Sequence, residues 1–193
     1  MIAGVDEAGR GPLAGPVVAA AVILCKPRPA GLDDSKKIPE ARRATLADTI
    51  RRRCHWAVGV VDVEEIDRLH IFGATMLAMT LAVEGLCVKI GCDPVEVLID
   101  GNKTPKGRVD RWRWHARAIV GGDAIEPCIS AASIIAKEHR DAMMRQAALV
   151  HPHYGWDRNK GYGTPDHLDA LRRHGPSPLH RRSFAPVAQL SLL

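Results

Sequence analysis

Apolar and polar positions fall into blocks of two different periods along the chain. Ile2 to Asp6 is a short apolar run ending in an acid, and Val17 to Leu24 is continuously apolar and rich in β-formers. Continuous apolarity over that length is expected of a strand covered on both faces. Gly9-Arg10-Gly11-Pro12 lies between the two runs and supplies a turn, so a hairpin is predicted. Pro39 opens a basic helical stretch toward Arg53, and Cys54 to Val63 reads as a third strand through Trp56, Val58, Val60 and Val61. Helical spacing then runs from Val63 through Lys89, with Met76, Met79, Leu81 and Val83 inside it. Val95 to Asp100 is another apolar run ending in an aspartate, and Arg117 to Asp123 repeats the pattern more weakly. Ile129 to Leu149 is helical in composition, and one further helix is predicted over Asp166 to His174. With no internal repeat, linker or low-complexity tract, this order predicts one mixed α/β domain over residues 1–193.

Composition narrows the class without naming a function. Hydrophobic residues make up 46% of the 193 and charged residues 25%, which excludes a disordered chain. The formal charge of +5 permits a polyanionic partner but does not require one. The five cysteines form no C-x-x-C pair and sit mostly in apolar stretches, so reduced thiols in a cytoplasmic protein are expected. Pro12 to Cys25 superficially resembles an exported lipoprotein signal. Asp6 and Glu7 stand where a cationic region is needed, however, and Pro12 and Pro16 interrupt a helix, so neither export nor a membrane span is expected.

The chemistry lies in the acids. Apolar runs end in a carboxylate at Asp6, Asp100 and Asp123, and in α/β sheets functional groups gather where strands end. A single acid there is ordinarily a solvated turn residue. Three of them, with Glu7 and a glycine-rich turn beside the first, would repel one another unless cations intervene, and hard oxygen donors select Mg²⁺ or Mn²⁺. Nucleotide-binding loops are excluded by spacing: Gly15 comes one residue too late after Gly9-Arg10-Gly11 for G-x-G-x-x-G, and Arg108-Val109 stands where a Walker loop needs Lys-Ser/Thr. The spacings of His151, His153, His174 and His180 match no standard zinc set.

Asp6-Glu7-Ala8-Gly9-Arg10-Gly11-Pro12 with Gly15-Pro16 resembles the N-terminal signature of the ribonuclease HII family. The resemblance continues in order through Asp34-Ser35-Lys36-Lys37, Ile99-Asp100-Gly101-Asn102, Ser130 to Lys137, Asn159 to Thr164 and His180 to Phe184. It implies a ribonuclease H-like mixed five-stranded sheet flanked by helices, with residues from about 150 to 193 forming a helical, substrate-contacting extension. The implied activity is endonucleolytic hydrolysis of the RNA strand of RNA–DNA hybrids, with incision 5′ of ribonucleotides embedded in duplex DNA. The implied catalytic and metal-binding acids are Asp6, Glu7, Asp100 and a fourth aspartate, for which both Asp123 and Asp141 are available. Asp123 is preferred because the family's residue precedes the Ser-Ala-Ala-Ser block, although Gly121-Gly122 replaces the polar neighbour relatives often carry. One or two divalent ions, Mn²⁺ or Mg²⁺, are implied.

By the same resemblance, Gly9, Arg10 and Gly11 read the ribose 2′-hydroxyl with help from Tyr162. Lys36, Lys137 and Lys160 contact phosphate, and Ser133 and Arg181 join the substrate-binding set. Lys103 to Arg117 interleaves six cations with Trp112 and Trp114, which suits either a nucleic-acid contact or a solvated loop with its tryptophans packed inward. The tail Gln189-Leu190-Ser191-Leu192-Leu193 resembles the bacterial sliding-clamp-binding pentapeptide, with Gln189, Leu190 and Leu192 as its contacts. Otherwise the chain is expected to work as a monomer.

Overall fold

The apolar runs build one five-stranded sheet in a computed structural model that describes residues 1–32, 35 and 38–189. Its strands are β1 (Ile2–Ala8), β2 (Val17–Ile23), β3 (His55–Val61), β4 (Glu96–Asp100) and β5 (Ala116–Ile119), in the order β3-β2-β1-β4-β5. β2 runs antiparallel to β1 and β3, while β1, β4 and β5 are parallel. Every residue of β2 is buried, which is why its sequence shows no polar alternation.

Alternate residues of the central strands divide between two cores. Val5, Ala19, Ala21 and Ile99 pack with the long helix α2 (Val63–Ile90) on one face. Ala20 and Val22 pack with α1 (Glu40–Arg53) and α4 (Pro127–Val150) on the other. Both helices come very close to the sheet. A Cβ on Gly59 would lie 2.1 Å from the Ala78 carbonyl oxygen, and one on Gly4 would lie 2.2 Å from the Cys128 carbonyl carbon. Only glycine permits these approaches. α2 is long and apolar enough to cross a bilayer, but half of its most apolar window is buried, against β2 and β3. It starts at Asp62, whose carboxylate accepts from the Glu65 amide at 3.0 Å, and kinks at His70 (φ 55°, ψ 161°).

A third core joins the two ends of the chain. Leu13 and Ala14, from the connection after β1, pack with Met144 and Ala148 of α4, with Tyr154 and Trp156, and with Ala170 and Leu171 of α6 (Pro165–His174). Val187, in the short α7 (Ala185–Ala188), completes it. Two further short helices are α3 (Gly122–Ile125) and α5 (Trp156–Asn159), whose Trp156 belongs to this third core.

Three elements differ from the sequence expectation. The β1–β2 connection is a loop of residues 9–16, longer than a tight turn. Asp6 lies inside the paired part of β1, opposite Ala20, and not at its end. Asp123 does not end a strand either: β5 stops at Ile119, Gly121 turns left-handed (φ 66°, ψ 30°), and Asp123 falls in the first turn of α3.

The Gly4 contact can be tested by thermal melting. Gly4→Ala must push α4 off the sheet, because the opposing atoms are backbone and cannot rotate aside. A cost of at least ~1–3 kcal/mol is expected, lowering Tm by several degrees. Val88→Ala, at a site 84% exposed, should leave the melting temperature unchanged.

Candidate active site

The register of β1 and β4 sets the site. Their last pair is Val5 and Ile99, so Asp6 and Asp100 follow side by side on neighbouring parallel strands. Val5 and Ile99 face α2, hence both aspartates face α4. There Ser133 hydrogen-bonds to the Asp6 carboxylate, which also accepts from the Glu7 amide at 2.7 Å. Asp6 is only 5% exposed. Burial first, and then the charges of Glu7 and Asp100, raise its pKa well above the usual carboxylate range against the pull of those two hydrogen bonds. Asp100 carries the complementary defect: its Oδ1 is buried and accepts no hydrogen bond from any described residue.

Desolvated, mutually repelling carboxylates with an orphaned oxygen suit a hard divalent cation in charge and donor type. Among the described residues no three His, Cys, Asp or Glu side chains are gathered closely enough to ligate one ion. Asp6 and Asp100 are the acids the register brings together. Glu7, one residue along the strand, starts from the opposite face and meets Arg10 Nη1 at 3.2 Å. Asp123 is half-buried in α3. Asp141, the alternative fourth acid, is 2% exposed and bound to Lys137 Nζ at 2.7 Å and Arg43 at 3.7 Å, so its charge is already matched.

A cleft of about 560 Å³ opens over Asp6 and Glu7, walled by Gly9, Arg10 and Gly11 on one side and by Lys137 and Tyr162 elsewhere. Tyr162 is 46% exposed, and its ring edge lies 3.6 Å from where a Cβ on Gly11 would stand. The glycine-arginine-glycine loop is held from behind by two buried guanidiniums. Arg181 gives Nη2 to the carbonyls of Gly9 and Pro16, Nη1 to that of Arg10 and Nε to that of Gly15. Arg140 serves Pro16, Ala14 and Lys160 in the same way. Gly9 (φ +95°) is needed because a Cβ there would stand 2.0 Å from Arg140 Nε. Burial and the Arg140 charge bring Arg181 down to about 9, so it remains a cation at neutral pH.

Arg181 therefore does not reach phosphate, contrary to the sequence expectation: it is 0% exposed and its donors are spent on the loop. Lys137 lines the cleft while paired to Asp141, and Lys160 donates Nζ to the Asp157 carbonyl. Lys36, Leu190 and Leu192 lie outside the described residues, and Gln189 follows directly on α7. Trp112 and Trp114 are 7% and 4% exposed within the α2 core, so they offer no stacking surface. Around them Arg113 pairs with Asp93 and Arg117 with Glu96.

Sequence reasoning missed the layer behind the acids. The Ser133 hydroxyl meets that of Ser35 at 2.7 Å. Arg43 binds Glu138 at 2.6 Å and donates to the Ser35 and Ile38 carbonyls. Lys137, Glu138, Arg140 and Asp141 are four charges placed between buried Ile135 and Met144 on one helix. That concentration was the available signal.

Three comparisons place this arrangement among known proteins. The family model for Ribonuclease HII matches residues 3–187. The Ribonuclease HII of Novosphingobium aromaticivorans is 76% identical over 98% of both chains. Among solved structures, the PCNA:RNase HII complex from Archaeoglobus fulgidus contains a similar chain at 25% identity, with a TM-score of 0.78 and coverage of 98% and 96%. Bst-RNase HIII in complex with Mn²⁺ shares the fold at 21% identity and a TM-score of 0.78, covering 99% of this chain and 69% of that one. With its acids on adjacent strands and its signature loop clamped beside them, the chain belongs to the ribonuclease HII family and is an endoribonuclease of RNA–DNA hybrids.

Proposed function

We propose that this enzyme, beyond cleaving hybrids, incises duplex DNA on the 5′ side of single embedded ribonucleotides and works with Mn²⁺ or Mg²⁺ held by Asp6, Glu7, Asp100 and Asp123. The observation that carries the reading is the pairing of buried Asp6 with half-buried Asp100, whose Oδ1 is buried and orphaned, beside a loop rigid enough to probe a sugar. Divalent ions bound there would activate water and neutralise the leaving oxygen. The chain's own groups do the rest. Ser133 orients Asp6, Arg181 fixes the Gly9 and Arg10 carbonyls, and Arg140 anchors the same loop at Ala14 and Pro16, so that its peptide groups can test a 2′-hydroxyl. Tyr162 adds an aromatic surface beside Gly11, and Lys137 lines the cleft with its ammonium bound to Asp141. Its place of action is the cytoplasm, as a monomer.

The position of the cut dictates the nucleophile. The 2′-hydroxyl of a lone ribonucleotide adjoins the phosphate on its 3′ side, so it cannot attack the phosphate on its 5′ side. Water must add to that phosphorus as the bond to the preceding 3′ oxygen breaks, and the oxygen leaves with a proton. A duplex carrying one ribonucleotide, incubated with the enzyme and Mn²⁺, should yield a 3′-hydroxyl on the upstream DNA and a 5′-phosphate on the ribonucleotide. Product mass spectrometry checks this. A 2′,3′-cyclic phosphate, or no incision by an enzyme that still cleaves hybrids, would refute the reading.

Metal binding has a readout independent of turnover. In chelator, Asp6→Asn should melt no lower than the wild type, since a repelled buried charge is gone. Mn²⁺ at a hundredfold excess over Kd should stabilise the wild type by about 2.7 kcal/mol and the variant much less. Cleavage by Asp6→Asn should fall by more than the roughly 10–100-fold that loss of an outer-shell partner costs.

We further assign the tail residues Gln189, Leu190 and Leu192 to a replication sliding clamp. The archaeal relative solved in complex with PCNA supports a tethered mode of action for the family. A chain truncated after Ala188 should lose binding to the bacterial clamp in a titration while cleaving free oligonucleotides normally. Equal clamp binding by both chains would reject the assignment.

A further inference from the structure

What aims Tyr162 at the loop is a hydrogen-bonded chain running through two buried histidines. Tyr162 stands between Gly161 and Gly163 and is 46% exposed; its amide donates to the Asn159 carbonyl at 2.9 Å and the Gly161 carbonyl accepts from the Leu13 amide at 2.8 Å, which ties the N-terminal side of its backbone. Its carbonyl is held at two points, by the Thr164 amide at 2.8 Å and by His167 Nδ1 at 2.9 Å. A carbonyl can only accept, so Nδ1 carries the proton and the His167 Nε2 is bare. Trp156 Nε1, which can only donate, points to that Nε2 at 3.1 Å. His180 Nε2 also meets it at 3.1 Å and must therefore be the donor. That leaves His180 Nδ1 bare, where it accepts from the Ser177 amide and hydroxyl at 3.0 Å each. Each bond fixes the tautomer of the next ring, and the direction closes consistently from Ser177 to Tyr162.

The chain lies in the interior: His167 and Trp156 are 0% exposed and His180 1%. Burial lowers the pKa of both rings, that of His180 to about 4, so both remain neutral at working pH. His180 is followed at once by Arg181, the brace of Gly9 and Arg10, and is itself bridged to Ala14. One short segment thus supports both walls of the cleft, the loop through Arg181 and the tyrosine through His180 and His167.

We propose that His167 is a positioning residue, whose Nδ1–H, held in one tautomer by His180, seats the Tyr162 ring against Gly11 so that the two together form one contact surface for a ribose. This rests on the sugar-reading role given to Tyr162 above. His167 touches no substrate and acts through the tyrosine alone.

Two measurements test it, the first without catalysis. Imidazole nitrogen NMR of the intact, metal-free protein should show His167 protonated on Nδ1 and His180 on Nε2. The opposite tautomer at His167 overturns the proposal. The second is a double-mutant cycle on kcat/KM, run on both an RNA–DNA hybrid and the single-ribonucleotide duplex. His167→Phe, which keeps an aromatic ring but removes both the Nδ1 donor and the Nε2 acceptor shared by Trp156 and His180, should lower kcat/KM by roughly tenfold or more. His167→Asn, which returns an amide N–H to the Nδ1 position, should recover most of that loss. In a Tyr162→Ala background neither substitution should matter further. Equal losses with and without Tyr162, or no rescue by asparagine, would show a general structural role and overturn the proposal. If the wild type cleaves hybrids but not the single-ribonucleotide duplex, the reading of function fails there, while the cycle on hybrids still decides the role of His167.

Discussion

Two carboxylates side by side on neighbouring parallel strands, facing a helix, form an arrangement that folding alone would not favour. Desolvating an ionised carboxylate costs several kcal/mol, and a second negative charge nearby adds to that cost. Asp6 and Asp100 are held there by the register of β1 and β4, which the apolar pairs up to Val5 and Ile99 specify. The surroundings offset part of the cost and leave the remainder. Ser133 and the Glu7 amide donate to Asp6, yet the Asp100 Oδ1 receives nothing from the described residues. Strain of this kind persists when the sheet over-determines the position, and it is the form in which a protein stores affinity for a cation.

The nearby buried arginines could have cancelled that charge, and the fold prevents it. Arg140 and Arg181 are 1% and 0% exposed, and their donors go to backbone carbonyls of the loop between β1 and β2 and of Lys160. Arg43 and Lys137 are likewise committed, to Glu138 and Asp141. Cations and anions at the site are therefore sorted. The cations rigidify the loop and the helix that carries Ser133, and none of these four pairs with Asp6 or Asp100. A planar guanidinium suits this use, since its fork satisfies several converging carbonyls that the single ammonium of lysine could not.

Most of the fold was legible because burial is written into period. β2 reads as continuous apolarity since both faces are covered, and α2 and α4 read as long helices close to their observed bounds. Asp6 and Asp100 were legible as acids on apolar strands. Asp123 was misplaced because Val120 prolongs the apolar run past Ile119, the true strand end, beyond which Gly121 turns left-handed. Arg181 was misread because sequence carries no sign of direction: an arginine beside a catalytic motif looks like a phosphate ligand until its burial is known. The reverse error threatened Trp112 and Trp114, whose basic neighbours suggested a stacking platform although the rings fill the core beneath α2. Charges inside a helix otherwise apolar, as at Glu138 and Asp141, are the clearer warning of a buried network.

The C-terminal segment shows why the chemistry and the recognition can vary separately. The acids depend on the sheet and on α4, whose close approach at Gly4 brings Ser133 to Asp6. The walls that would probe the sugar depend on residues 177–183 instead. Ser177 and His180 act through His167, Arg181 grips the loop, and Ser183 donates to Asp67 on α2 ahead of its kink at His70. Ile71, just past that kink, lines the same cleft. A change in this segment would thus move the walls against fixed acids, altering which sugar fits before it alters how a bond is cut. The third core, packing Leu13 and Ala14 against α4 and α6, holds that alignment by ordinary apolar burial. On the function proposed above, selectivity would be exposed to mutations far from any substrate atom, wherever they loosen the packing between the β1–β2 loop and the C-terminal helices.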